Sequence, residues 1–284
     1  MPKVTLGAGE TIWFKRTGSG APLLHIHGSA FGHRNFEKLT PLVARHFEVI
    51  DFDLPGYGES SGVPRPEGMH GLAEQVYEFI RQTGHERVHV HGTSFGAMIG
   101  LCLAANHPEV VDRLVLSCFL ARYDNAARMM RATWKRAALQ IGMDAVADLT
   151  SVAGFARSFH DREEAPAQLQ AMRDAFARTR PEAFVAGTET IEKTDLSELA
   201  PRISAPTLLL AGDEDNMTPY SPAHSGVGMS AIARQLRHCE SRTLTQCGHY
   251  LVIEQPELAA NHVRDFITSS RDAGTQGSAG SAGR

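Results

Sequence analysis

The chain has 284 residues, a formal charge of −4 from 28 Lys and Arg against 32 Asp and Glu, and a sequence pI near 6.4. That balance, with no basic cluster, disfavours nucleic acid or an anionic membrane surface as a partner. Apolar runs of only a few residues fall far short of the roughly 20 that span a bilayer, and the first residues lack the apolar core of a secretion signal, so the expectation is a soluble cytoplasmic protein.

Val4 to Thr17 alternates loosely around Gly7 and Gly9, which predicts a hairpin or two short edge strands. Short apolar runs follow, each closed by a Gly-rich, polar or acidic turn: Leu23 to His27, Phe47 to Phe52, Val88 to His91 and Leu114 to Leu120. Two more stand at Thr207 to Ala211 and Arg242 to Thr245. Helical patterns lie between them, as at 72 to 83 and 97 to 106. Strands alternating with helices predict an α/β fold, a mostly parallel sheet with helices on both faces.

The first buried run ends in the turn His27-Gly28-Ser29-Ala30. Ser29 N–H, with Ala30 next, is the candidate there for donating to a developing oxyanion, and His27 reads as a residue holding the turn. Asp53 to Ser60 reads as a structural loop, because no G-x-G-x-x-G or Walker lysine accompanies its glycines.

Gly92-Thr93-Ser94-Phe95-Gly96 joins a strand run to a helical one. A serine on so sharp a turn is forced into a strained conformation, and small residues two positions either side let neighbouring backbone approach. Its hydroxyl then stands above the sheet at the positive end of the next helix. Ser94 is the candidate nucleophile, and Phe95 N–H the second oxyanion donor.

Between Leu120 and Thr207 the chain shows helical character and no strand signal. Met130, Trp134, Ala137 and Ile141 recur at helical steps, and Pro166 and Pro181 stand where helices start. One crossover rarely needs such a length, so residues 121–204 are expected to form a helical lid inserted into a core of 1–120 and 205–268. The lid carries twelve basic and twelve acidic side chains, hence no net charge. Its bulky residues include Met129, Met130, Trp134, Phe155, Phe159, Phe176 and Phe184. Trp134, Met130, Phe155 and Phe159, with Phe119 at the sheet edge, are the candidates for an apolar substrate pocket. Arg122 or Arg128 is available should the substrate carry a carboxylate.

A nucleophilic serine needs a base and an orienting acid, in the order Ser, acid, His. After Leu208-Leu209-Leu210-Ala211-Gly212 come Asp213, Glu214 and Asp215. Asp215 is preferred, because it precedes Thr218-Pro219 in a G-x-x-D-x-x-x-P pattern. Asp124 is discounted as an acid from the preceding strand. His249 in Gly248-His249-Tyr250 follows the last strand signal and is the candidate base. His224, His238 and His262 look helical or exposed. Cys102, Cys118, Cys239 and Cys247 show no metal-ligand spacing and read as reduced thiols, with a Cys239–Cys247 bridge left open. From Ser269 onward a Gly-, Ser- and Ala-rich tail is expected to be flexible.

His27-Gly28, Asp53-x-x-Gly56-x-Gly58-x-Ser60, Gly92-x-Ser94-x-Gly96, Gly212-x-x-Asp215 and Gly248-His249 together resemble the α/β-hydrolase superfamily over roughly residues 3–268. Gly142 to Ala147, and Thr194-Asp195-Leu196 ahead of Ile203 to Thr207, are similar to the lid and exit of 3-oxoadipate enol-lactonases and related hydrolases. The chain departs from many of these at Ala97, where they carry Gly. The resemblance implies a small-molecule ester or lactone cleaved through an acyl-enzyme, without metal or organic cofactor. A carbon–carbon bond hydrolase of a diketone ring-fission product is the alternative within the fold. A non-catalytic ligand-binding protein of the same fold is the alternative outside enzymes. Monomer and homodimer are both left open.

Overall fold

Runs too short for a stable helix but rich in Val, Ile and Leu fold as buried strands when crossovers return the chain to one sheet. The computed structural model describes residues 2–61, 68–222 and 225–269. Its strands are β1 (Lys3–Thr5), β2 (Thr11–Thr17), β3 (Ala21–Ile26), β4 (Phe47–Phe52), β5 (Val88–Thr93) and β6 (Val111–Ser117), then β7 (Leu120–Arg122), β8 (Thr207–Gly212), β9 (Val227–Gly228) and β10 (Cys239–Leu244). Eight of these make one sheet in the order β1-β2-β4-β3-β5-β6-β8-β10. The N-terminal hairpin supplies its only antiparallel pairs, β1 with β2 and β2 with β4; the rest run parallel.

The helices are α1 (Thr40–Val43), α2 (Gly68–Gln82), α3 (Phe95–Asn106), α4 (Asn125–Gln140), α5 (Met143–Gly154), α6 (Ala165–Phe176), α7 (Pro181–Lys193), α8 (Met229–Ala233), α9 (Leu251–Glu254) and α10 (Pro256–Thr268). Alternate strand residues serve opposite faces of the sheet, as the two-residue period requires. Leu24, Ile26 and Val90 pack under α2 and α3, whereas Leu23, Val49 and Val115 pack under α1 and α10. Every residue of α3 from Phe95 to Ala105 is buried, as its all-apolar sequence demands. A third cluster joins α4 to α7 with Phe31, Met217 and Tyr250, tying the helical segment to loops at one edge of the sheet.

Three expectations need adjustment. The run from Leu114 to Leu120 is not one strand: β6 stops at Ser117, Cys118 turns the chain at φ +51°, and β7 pairs with β9 in a separate small antiparallel sheet. The last strand begins at Cys239 rather than Arg242, because this edge strand is polar from Glu240 to Thr243 and shows no apolar run. The buried stripe of α4 is Ala127, Arg131, Trp134, Ala137 and Ala138; Ile141 is 74 % exposed.

All four cysteines are free thiols. The expected flexible tail starts at Ser269, whose hydroxyl and carbonyl oxygens accept from Arg113, but residues 270–284 lie outside the described residues, as does His224. Among the described residues no helix is long and apolar enough to cross a membrane.

The chain runs from β3 outward to β4, then returns to place β5 on the other side of β3. That reversal opens a crevice beyond the carboxyl ends of β3 and β5, where open α/β sheets receive ligands. The loops carrying Ser29, Ser94, Asp215 and His249 all leave carboxyl ends of strands in this sheet.

Candidate active site

The turn between β5 and α3 holds Ser94 at φ +54°, ψ −114°, a conformation an L residue adopts only when its surroundings impose it. Here they do. Ser94 N–H donates to Ser117 O at 2.8 Å, and Ser94 O accepts from Ala97 N and Met98 N. A Cβ at Gly92 would come within 2.3 Å of Gly96 O, and one at Gly96 within 2.0 Å of Ile26 O. Only glycine fits either position, so the spacing read in the sequence is a steric requirement of the turn.

Asp215 follows β8 and is buried, and each of its oxygens is engaged. Oδ1 accepts from Met217 N and Thr218 N, both at 2.9 Å, and Oδ2 accepts from Thr218 Oγ1 at 2.7 Å and His249 Nδ1 at 2.9 Å. Burial pushes this carboxyl up, but the adjoining His249 and the Thr218 donors outweigh it and hold it below the ordinary carboxylate range. An ionised Asp215 fixes the proton of His249 on Nδ1 and leaves Nε2 free as an acceptor. His249 is seated from its other side by its own N–H, which donates to Gly154 O at 2.6 Å. Asp213 is exposed and, among the described residues, its side chain accepts only from Cys247 N, at 3.3 Å. Asp124 is the N-cap of α4, accepting from Ala127 N at 2.8 Å.

The loop after β3 is built as tightly. Gly28 N–H donates to Asn35 Oδ1 at 2.7 Å. His27 Nδ1 donates to Gly28 O at 2.7 Å while its Nε2 accepts from Leu54 N at 2.9 Å, so the ring bridges two loops. Ala30 is held at φ +74° with its carbonyl accepting from Thr179 Oγ1 at 2.8 Å. This scaffold leaves Ser29 N–H, like Phe95 N–H, without a protein acceptor among the described residues. Asp53 accepts from Glu59 N in its own loop and from His33 N and Nδ1 in the loop after β3, tying the two loops together.

Ser94 and His249 line one narrow cavity of about 20 Å³. Its floor includes Gly28 and Ser29; its walls are Phe31, Met217 and Tyr250; its roof is Arg131, Trp134, Thr150, Phe176 and Phe184 from α4 to α7. No hydrogen bond joins Ser94 to His249 in this structure. Of the expected pocket residues only Trp134 lines the cavity. Met130 is one residue round the helix from Arg131 and packs between two clusters. Phe155 and Phe159 stack on each other at 4.0 Å, behind Tyr250. Phe119 is buried in the core beneath β6. Arg122 pairs with Asp195 at the surface and Arg128 donates to Tyr123 O, so the basic residue of the cavity is Arg131.

Sequence reasoning gave no bonding role to Asn35, Thr218 or Glu254, which hold Gly28, Asp215 and Gly248 through short-range loop contacts that no motif marks. Glu254, six percent exposed, accepts from Ala156 N at 3.0 Å and from Gly248 N at 3.1 Å, clamping the loop that carries His249. Burial raises its carboxyl from 4.5 to about 7, against the pull of those amides and Arg162. The folded state therefore binds this proton more tightly than the unfolded state does. Its contribution to stability is full below pH 4.5 and falls as pH rises towards 7, by on the order of 3 kcal/mol. Glu254→Gln is expected to lack this decline. Urea unfolding at pH 5, 6, 7 and 8 checks it: a difference between wild type and variant that stays constant with pH rules out the titration.

Cys118, Asp215 and His249 bring potential ligand atoms within 4.8 Å of one another. They do not suit a metal. Asp215 Oδ2 and His249 Nδ1 are spent on each other, and burial drives the Cys118 thiol well up, so it keeps its proton.

A family model described as alpha/beta hydrolase fold matches residues 21–256. The chain is similar, at 24 % identity over 275 residues, to 2-hydroxy-6-oxo-6-(2'-aminophenyl)hexa-2,4-dienoic acid hydrolase of Metapseudomonas resinovorans, covering 95 % of this chain and 91 % of that protein. It is 26 % identical over 271 residues to pyrrolizixenacetamide deacetylase of Xenorhabdus hominickii, covering 95 % and 98 %. Among solved structures it resembles the enol-lactonase of Burkholderia xenovorans LB400, with a TM-score of 0.85 and 23 % identity over 94 % of this chain and 100 % of that one.

Proposed function

The chain belongs to the alpha/beta hydrolase fold family, and from that membership we propose that it is a serine hydrolase cleaving a carboxylic ester or lactone through an acyl-enzyme. The observation that carries this reading is the shared cavity, faced by Ser94 at its strained turn and by His249 with Nδ1 bonded to Asp215. In this reading residues 121–204 act as a lid over a core of 1–120 and 205–268.

Ser94 Oγ attacks the carbonyl carbon while its proton passes to His249 Nε2, and Asp215 stabilises the imidazolium. The N–H groups of Ser29 and Phe95 receive the negative charge that develops on the carbonyl oxygen. Collapse breaks the C–O bond, and the imidazolium returns the proton to the leaving alkoxide or enolate. A water then attacks the acyl carbon and loses a proton to His249; the bond from that carbon to Ser94 Oγ breaks, the imidazolium returns the proton to Oγ, and the acid leaves. The scheme needs no metal or organic cofactor.

A fluorophosphonate probe tests the nucleophile, and a panel of p-nitrophenyl esters, small lactones and ring-fission diketones tests the bond. The expected result is a single adduct on the Ser94 peptide, turnover of esters or lactones, and a burst of alcohol release ahead of the steady state. No adduct would return the chain to a ligand-binding role. A second reading, carbon–carbon cleavage of a dienoic diketone, is favoured by similarity to a hydrolase of a hexa-2,4-dienoic acid. Turnover of the diketones alone would replace the ester reading with it.

A further inference from the structure

Arg131 is a charge on an apolar stripe. It lies on α4 between Ala127 and Trp134 in the buried row and is three percent exposed. A guanidinium cannot shed its proton to escape burial, so a desolvated arginine needs acceptors. Among the described residues it has one: Nη2 donates to Tyr123 Oη at 3.0 Å. Its remaining support is aromatic, the guanidinium carbon standing 5.5 Å from the Tyr123 ring centre and 4.9 Å from that of Trp134.

Three carboxylates of the same helical segment answer other groups. Glu192 pairs with Lys135, Asp148 with Arg173 and Asp195 with Arg122. Asp215 is saturated by Met217, Thr218 and His249. Arg131 instead lines the cavity that Ser94 and His249 face, where Ser29 Oγ is also buried without a partner. A cation held in place by two rings, with most of its planar donor set unspent, matches a ligand carboxylate in the bidentate geometry arginine favours.

We propose that Arg131 is an anion-binding subsite and that the substrate is an ester or lactone bearing a free carboxylate, an inference that rests on the hydrolase reading above. The two rings orient the fork, and the Tyr123 hydroxyl fixes one edge of it. The carboxylate then sets which carbonyl reaches Ser94. The neutral roof of Trp134, Phe176 and Phe184 excludes water from this pair, which strengthens it.

The test compares charged and neutral substrates of one shape. The methyl monoester of glutaric acid against its dimethyl ester reads a carboxylate on the acyl side. The acetate ester of 3-hydroxybutyrate against that of its methyl ester reads one on the leaving side. Wild type is expected to favour the charged member of one pair in kcat/KM. Arg131→Met is expected to reduce that charged-to-neutral ratio by about 10- to 100-fold, chiefly through KM, and Arg131→Lys to restore part of it. A ratio near one in wild type, or one unmoved by Arg131→Met, overturns the proposal.

Should Arg131→Met fail to fold, the native chain decides. Glutarate is expected to inhibit hydrolysis of a neutral p-nitrophenyl ester competitively where isosteric glutaramide does not, and equal inhibition by both refutes the subsite. Calorimetric binding of glutarate to unmodified protein needs no turnover. Binding without hydrolysis of any substrate would leave the anion site standing and remove the hydrolase reading; hydrolysis of neutral esters without binding would do the reverse.

Discussion

Ser94→Ala is expected to lower kcat by roughly 10⁴–10⁶ while leaving the fold intact. The turn is held by backbone hydrogen bonds to Ser117, Ala97 and Met98, none of which uses the hydroxyl. Ser94 is also at positive φ, where alanine bears much the same backbone strain as serine. The change in stability should therefore stay within about 1 kcal/mol, the scale of substitutions that open no cavity and orphan no buried group. Loss of the hydroxyl, by contrast, removes the atom that forms the acyl bond. Residual activity would come from Ser29 N–H and Phe95 N–H acting on attack by water. Kinetics on the best ester, with thermal unfolding of both proteins, measures the two effects separately. Retention of more than a tenth of the wild-type rate would remove Ser94 from the mechanism.

The turn at Ser94 is legible in sequence because its strain imposes residue types at fixed offsets. Gly92 and Gly96 are required by contacts under 2.5 Å from a hypothetical Cβ, and a one-letter pattern can carry that. The sheet is legible for a similar reason, since doubly covered strands must be short apolar runs closed by turns. The cavity roof is not legible. Helical spacing identified a stripe on α4 through Met130, Trp134 and Ile141, and passed over Arg131 because it is charged. The structure rotates the helix by about one residue, burying Ala127, Arg131, Trp134 and Ala138. Periodicity reports which residues share a face and is silent on what that face meets. Phe155 and Phe159 are as apolar as Phe176 and Phe184, yet only the latter two reach the cavity, and the choice is made by the path of the loop between α5 and α6.

The three carboxylates after β8 pose the sharpest test of the acid. Asp215→Asn is expected to lower kcat by about 10⁴, as loss of the orienting acid does in serine proteases, whereas Asp213→Asn should cost less than tenfold. The difference lies in hydrogen-bond arithmetic. Met217 N and Thr218 N both donate to Oδ1, so an asparagine must keep its carbonyl oxygen there and turn its NH₂ towards Thr218 Oγ1 and His249 Nδ1. Thr218 Oγ1 can accept one N–H of that amide, but Nδ1 can accept the other only if its proton moves to Nε2. The imidazole is then in the tautomer that cannot take a proton from Ser94. It also loses the negative charge that would stabilise it as imidazolium. Among the described residues the Asp213 side chain bonds neither ring nor serine; its hydrogen bond from Cys247 N is kept by the amide oxygen of asparagine. A change of tautomer has a further consequence. Asp215→Asn should regain part of its rate at high pH, where hydroxide replaces the general base. A pH profile of kcat for both variants tests this, and equal losses in the two, or a larger one in Asp213→Asn, would move the acid two residues upstream.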